Sequence, residues 1–214
     1  SGRASTPAFA CFVIARIALR DARRSKTGTR IRRWLSLAVL LLAAVRGADA
    51  GPASSPPPTL ALEAAAKRVA ADDFPAATEM LLTLDAENLP SDLRAQADLL
   101  LGIALLRQTR LEEAAVRLEA ARAHRLLADY ALHHLAQARR QAGRPDLAAE
   151  TLGQLVDQHP QSLFLDRAAR EIPRDFLEAG QLARAEEAAR KYLAAVPSNP
   201  GRAEVRLTFG DRKS

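Results

Sequence analysis

The sequence predicts an all-α fold, a solenoid of about four antiparallel helical hairpins spanning residues 59–214. Three observations lead there. From Thr59 onward the chain is rich in Ala, Leu, Glu, Gln and Arg, the strong helix formers, and holds no alternating β-branched stretch long enough for a strand. The same stretch superposes on itself when shifted by 34 or by 37 positions. Glycines and prolines punctuate it at matching places in successive units.

The segment before residue 59 is different in kind. Residues 1–50 carry ten Lys and Arg against only Asp21 and Asp49, so they account for a net +8. The rest of the chain holds the other 21 basic and 23 acidic side chains, a net −2, although the whole chain is +6. The excess positive charge therefore belongs to a leader, and nothing in the balance of the folded part points to a nucleic-acid surface. Arg30, Arg32 and Arg33 precede an apolar or small run of 12 residues from Trp34 to Val45, followed by Ala48-Asp49-Ala50. Basic flank, short apolar run and small residues before a cut are the pattern of an export signal over residues 30–50, with cleavage expected after Ala50. A run this short falls below the roughly 20 residues needed to cross a bilayer, so no stable membrane span is expected after cleavage. Residues 1–29 are expected to lie upstream of the signal, outside the mature protein, as from a fragment or a misplaced start. The single cysteine, Cys11, precedes the apolar run, so the mature chain is expected to form no internal disulfide and to carry no lipid anchor. Residues 51–58, Gly-Pro-Ala-Ser-Ser-Pro-Pro-Pro, read as an extended linker.

The repeats can be followed residue by residue. Leu101-Gly102, Ala114, Leu118 and Ala121 recur 34 positions later as Leu135-Ala136, Ala148, Leu152 and Leu155. The segment from Leu126 to Pro160 then aligns at 37 with Leu163 to Pro197, superposing Asp129 on Asp166, Ala131 on Ala168, and Gly143 on Gly180. Going back by 37, Ala77 and Leu81 fall on Ala114 and Leu118. Small residues at Gly102 or Ala136, and at Ala114 or Ala148, suit close helix crossings, with leucines nearby to fill the grooves. Gly143 and Gly180 suit helix ends that turn through a left-handed conformation, and Pro160 and Pro197 suit the ends of second helices. Pro173 occupies the slot matched by Ala136, inside a helix, and is expected to kink or shorten it. A fifth unit starts near Arg202 and loses its pattern at Phe209-Gly210-Asp211, so the C-terminal end is expected to be truncated, uncapped and less stable than a longer product.

The period and these small and large apolar positions resemble the tetratricopeptide repeat family. A narrower resemblance rests on Leu127-Ala128-Asp129-Tyr130-Ala131 and on Pro160-Gln161-Ser162, which look like the helical region of soluble lytic murein transglycosylases. That resemblance covers roughly residues 60–205. It implies an exported, periplasmic superhelical domain that shapes access to peptidoglycan, with cleavage left to a separate domain absent from this chain. The broader resemblance implies a periplasmic adaptor that binds protein partners in an envelope complex.

No catalytic constellation is legible. The Glu-Ser motif and the Gly-Leu-Met-Gln segment of the transglycosylase catalytic domain do not occur, which leaves open whether the chain is a fragment of such an enzyme. Glu112-Glu113 and Glu186-Glu187 sit near the starts of second helices, where a solvated face favoured by the helix dipole explains them. His133-His134 are adjacent on a helix, about 100° apart, with no ligand type at the following turn, and read as polar positions on a repeat helix. No metal ligand set, phosphate loop or nucleophile triad is expected, and no cofactor. The remaining candidate is the groove lined by the first helix of each hairpin. Tyr130, His133, Gln137 and Arg140 fall on that side of the third unit, and Arg167, Arg170, Arg174 and Leu177 fall at the equivalent positions of the fourth. The arginines form a stripe suited to the carboxylates of a peptide stem or of an envelope protein. The same stripe could instead pair with Asp166, Glu171 and Asp175 as an ordinary solvated helix face.

Overall fold

In the computed structural model, residues 57–84 and 89–195 are described, together with 205, 206 and 208. The expected upstream segment and signal, and all of the linker but its last two residues, lie outside them, as do Pro197 and the end of the expected fifth unit. Eight helices follow in order among the described residues: α1 Pro58–Ala70, α2 Phe74–Leu82, α3 Ser91–Arg107, α4 Leu111–Ala121, α5 Ala128–Gln141, α6 Pro145–Gln158, α7 Leu165–Glu178 and α8 Leu182–Ala195. No strand occurs among the described residues. The fold is the expected all-α stack of four hairpins. Helix α1 begins at Pro58, assigned above to the linker, because proline's fixed φ and missing amide suit the first helical position.

Each hairpin closes in the same way. Asp72, Thr109, Gly143 and Gly180 have φ of 64°, 61°, 73° and 74°. At each turn the amide of this residue donates three residues back and the next amide donates five back: Gly143 N to Arg140 O at 3.0 Å with Arg144 N to Arg139 O at 2.9 Å, and Thr109 N to Leu106 O at 3.1 Å with Arg110 N to Leu105 O at 3.0 Å. This is the Schellman end of a helix, which satisfies two of its last carbonyls. The four left-handed residues are spaced 37, 34 and 37 apart, the spacings at which the sequence superposes on itself. Glycine announced only the last two turns.

The second helices pack through alanines on the same register. Ala77, Ala114, Ala148 and Ala185 are all fully buried, and each amide donates to the residue that precedes its helix, Asp73, Arg110, Arg144 and Gln181 in turn. At Gly102, α3 packs closely on α4. A Cβ there would lie 2.6 Å from Leu118 Cγ and 3.3 Å from the Leu118 amide nitrogen, and Leu118 is itself fully buried. Helix α3 has neighbours on all sides, packing against α1, α2, α4 and α5, which is why an unbroken run from Ala97 to Leu106 is buried.

Pro173 does not shorten its helix. Helix α7 runs through it for 14 residues, the same length as α5 and α6. The proline forgoes only the hydrogen bond that an amide would give to the Ala169 carbonyl, and its ring is fully buried in the tertiary packing that holds the helix. After α8 the chain is helical again at 205 and 206, where buried Val205 packs on Ala189 and Tyr192. Ala131, Ala168 and Val205 follow one another at 37, so the fifth unit begins in register. No helix among the described residues is long and apolar enough to cross a membrane.

Candidate functional site

The first helices of the third and fourth hairpins, α5 and α7, carry all the groove residues anticipated from the sequence. The structure sorts them into two groups. Tyr130, His133 and Gln137 gather around Phe164, the residue before α7. The Tyr130 ring meets Phe164 edge-on at 5.1 Å, and the His133 imidazole lies flat on it, with centroids 4.1 Å apart and 7° between planes. Gln137 Nε2 and His133 Nε2 are 2.8 Å apart, so the amide donates and the imidazole accepts. His133 and His134, read from the sequence as polar positions on a repeat helix, are both wholly buried. His133 is thus a wall of the interior and offers no surface to a ligand in this conformation. Burial, reinforced by His134 and the arginines 167, 140 and 107, holds the His133 imidazole well below its ordinary pKa.

The second group is charged. Arg140 forms a two-pronged pair with Asp175, Nε to Oδ1 at 2.7 Å and Nη2 to Oδ2 at 2.6 Å, and its Nη2 also reaches Glu171 Oε2 at 2.9 Å. Arg167 Nε donates to Glu171 Oε1 at 2.9 Å. Asp175 is fully buried, and burial pushes its carboxyl above the ordinary range against the pull of Arg140. Burial acts on Glu171 in the same direction, but Arg140 and Arg167 outweigh it and hold that carboxyl low. Burial likewise disfavours charge on Arg140, yet its two carboxylates leave the guanidinium firmly protonated. The pairing with Glu171 and Asp175 is therefore realised for Arg140 and Arg167. Asp166 accepts from the Tyr192 hydroxyl at 3.3 Å. Arg174 is exposed and makes no ion pair among the described residues, while Arg170 is partly exposed.

Asp129 and Ser162, which carried the narrower resemblance, meet in space. Ser162 Oγ donates to Asp129 Oδ2 at 2.8 Å and accepts from the Phe164 amide at 3.2 Å, while Asp129 Oδ1 accepts from the Tyr130 amide at 2.9 Å. These contacts tie the start of α5 to the loop that places Phe164, which is a structural task. Phe164 itself escaped the sequence reading, although it falls 37 positions after Leu127, also fully buried. Among the described residues no group of three His, Cys, Asp or Glu side chains could hold a metal ion.

Residues 130–162 match the tetratricopeptide repeat family, and this is the hairpin that carries Tyr130, His133, Gln137 and Arg140. The region is tetratricopeptide-like. The four-hairpin stack is similar to the nearly identical TPR-like repeats of a Podosopora anserina protein, at 21% identity and a TM-score of 0.58, covering 74% of this chain and 91% of that one. It is also similar to MamA of AMB-1, at 16% identity and a TM-score of 0.54 over 72% of this chain and 82% of MamA, and to a point mutant of MamA at the same identity and score. At these identities the likeness is one of fold. No curated protein sequence matches the chain. In tetratricopeptide-like terms, α5 and α7 are the first helices of adjacent repeats, so the arginine network bridges two repeats across the face that such stacks offer to partners.

Proposed function

We propose that the protein is a binding scaffold whose first-helix face takes an acidic segment of a partner protein. The observation that carries this reading is the gathering of Arg140, Arg167, Arg170 and Arg174 on α5 and α7. Arg140 and Arg167 hold Asp175 and Glu171 of the chain itself, while Arg174 makes no ion pair among the described residues. Five arginines, counting Arg107, whose charge is felt at His133, stand against Asp166, Glu171 and Asp175, an excess of two positive charges within a folded part that is net negative. Guanidinium groups held at fixed spacing suit carboxylates better than mobile lysines would.

Fluorescence anisotropy with a labelled peptide of alternating Asp and Ser tests this. Saturable binding is expected that weakens about fivefold in Arg174→Ala and weakens further as salt rises. A neutral Asn/Ser peptide that binds as well would overturn it. The leader's grammar extends the reading to an exported, envelope-located adaptor. Mass spectrometry of the protein secreted by a bacterial host should then find a mature chain starting at Gly51. The peptidoglycan reading belongs to the same face, because stem peptides also carry carboxylates, and a muropeptide that outcompetes the acidic peptide would favour it over a protein partner. The residues behind that narrower resemblance make structural contacts, so protein binding is placed first.

A further inference from the structure

The opposite side of the stack, formed by the second helices, differs sharply from one repeat junction to the next. Between the second and third hairpins it is bridged by polar groups. Arg139 Nη1 donates to Thr151 Oγ1 at 2.5 Å and Nη2 lies 3.6 Å from Glu119, while Arg122 pairs with Glu119 at 3.1 Å and donates to Gln154 Oε1 at 3.0 Å. One repeat later, the residues equivalent to Glu119, Arg122, Arg139, Thr151 and Gln154 are Gly153, Val156, Phe176, Ala188 and Lys191. Four of five polar positions have become apolar or empty. The bridge is replaced by an open cleft of about 480 Å³ with a mainly apolar lining, among ligand-sized pockets of roughly 300–1,000 Å³. Gly153 opens it: a Cβ there would meet nothing within 4 Å. At the first junction Leu82 takes the place of Gly153, and only about 190 Å³ is left.

The charges at the mouth are uneven. Arg184 is committed, its guanidinium lying 4.1 Å over the Phe176 ring and 3.2 Å from Glu150, and Lys191 lies 3.6 Å from Glu187. Asp157 makes no ion pair among the described residues. It sits in the last turn of α6, which holds no basic residue, so the negative end of the helix dipole adds to its charge.

We propose that this cleft is a second docking site, one that takes a large apolar side chain of a partner protein flanked by a lysine or arginine that pairs with Asp157. The site is separate from the arginine face and of opposite charge preference, so the two readings stand or fall independently. Two fragments serve as probes in an NMR titration of the full chain: 2-phenylethylammonium, which joins an aromatic ring to a cation, and phenylacetate, which reverses the charge. Saturable amide shifts are expected at Gly153 and Ala188 with the ammonium, weaker by about threefold to fivefold with phenylacetate, a preference of the size exposed charge pairs support. Asp157→Asn should erase that preference. Gly153→Glu restores the side chain of the neighbouring junction and should abolish binding while leaving the melting temperature at or above its starting value, because it removes a glycine from a helix interior. Arg174→Ala should leave both fragments unaffected. Equal binding of the two fragments, binding that survives Gly153→Glu, or no shift at the cleft would each overturn the proposal. A concentration-dependent dimer that Gly153→Glu dissolves would also overturn it, by assigning the cleft to a second copy of the chain.

Discussion

At the scale of single residues, the repeat sets two kinds of demand, on backbone conformation and on side-chain size. Thr109 and Gly143 occupy equivalent left-handed positions, but only glycine adopts that conformation without a Cβ penalty. Thr109→Gly should therefore stabilise the fold by about 0.5–1 kcal/mol and Gly143→Ala should destabilise it by about 1 kcal/mol, opposite signs from one turn geometry. No atom crowds the Gly143 site, so the second change reports backbone strain alone. Gly102→Ala tests size instead. Its new methyl would run into Leu118 with nowhere for that side chain to go, and a loss of about 1–3 kcal/mol in urea unfolding is expected. The buried imidazole of His133 adds a pH dependence. Its pKa is depressed in the folded state, so the unfolded chain binds the proton first. The stability that neutral His133 confers is full above about pH 6.5 and falls below it, by up to about 1.4 kcal/mol per pH unit until the folded pKa is reached. His133→Phe should flatten the melting temperature between pH 6.5 and 5 relative to the parent; an unchanged slope would show that another group sets it.

At the scale of elements, α5 and α7 are joined by the Arg140–Asp175 fork. Removing Arg140 leaves a fully buried carboxylate without its cation, so Arg140→Ala should cost about 3 kcal/mol, and Asp175→Asn should recover much of it in the double variant. Thermal melts of the three variants decide this, and simple additivity would show that the two residues do not act as a pair. Most of this architecture was legible beforehand, because a helical repeat writes its small and large apolar positions in a fixed register. Ala77, Ala114 and Ala148 were readable in that way. The turns at Asp72 and Thr109 were not, since neither residue advertises a left-handed conformation. Pro173 misled as to the length of α7, because a proline rule derived from isolated helices competes with tertiary packing that holds the helix together. The candidate residues fall on α5 and α7, yet the register could not separate the interior position of His133 from the outer position of Arg174. The cleft beside Gly153 was missed for a related reason. Each of its residues is ordinary alone, and only the comparison of a bridged junction with its open neighbour shows it.

At the scale of the whole molecule, four hairpins with a positive first-helix face and an apolar cleft on the second-helix side make a protein with two unlike surfaces. The stability of such a stack resides in nearest-neighbour contacts that propagate from repeat to repeat. The central claim is that the first-helix face binds an acidic segment. Its most direct measurement is an NMR titration of the full chain with the Asp/Ser peptide, following backbone amides and arginine Nε–H groups. Shifts concentrated on α5 and α7, strongest near Gln137, Arg170 and Arg174, are the predicted result. Shifts confined to the second helices, or none at peptide concentrations that saturate the anisotropy signal, would contradict it.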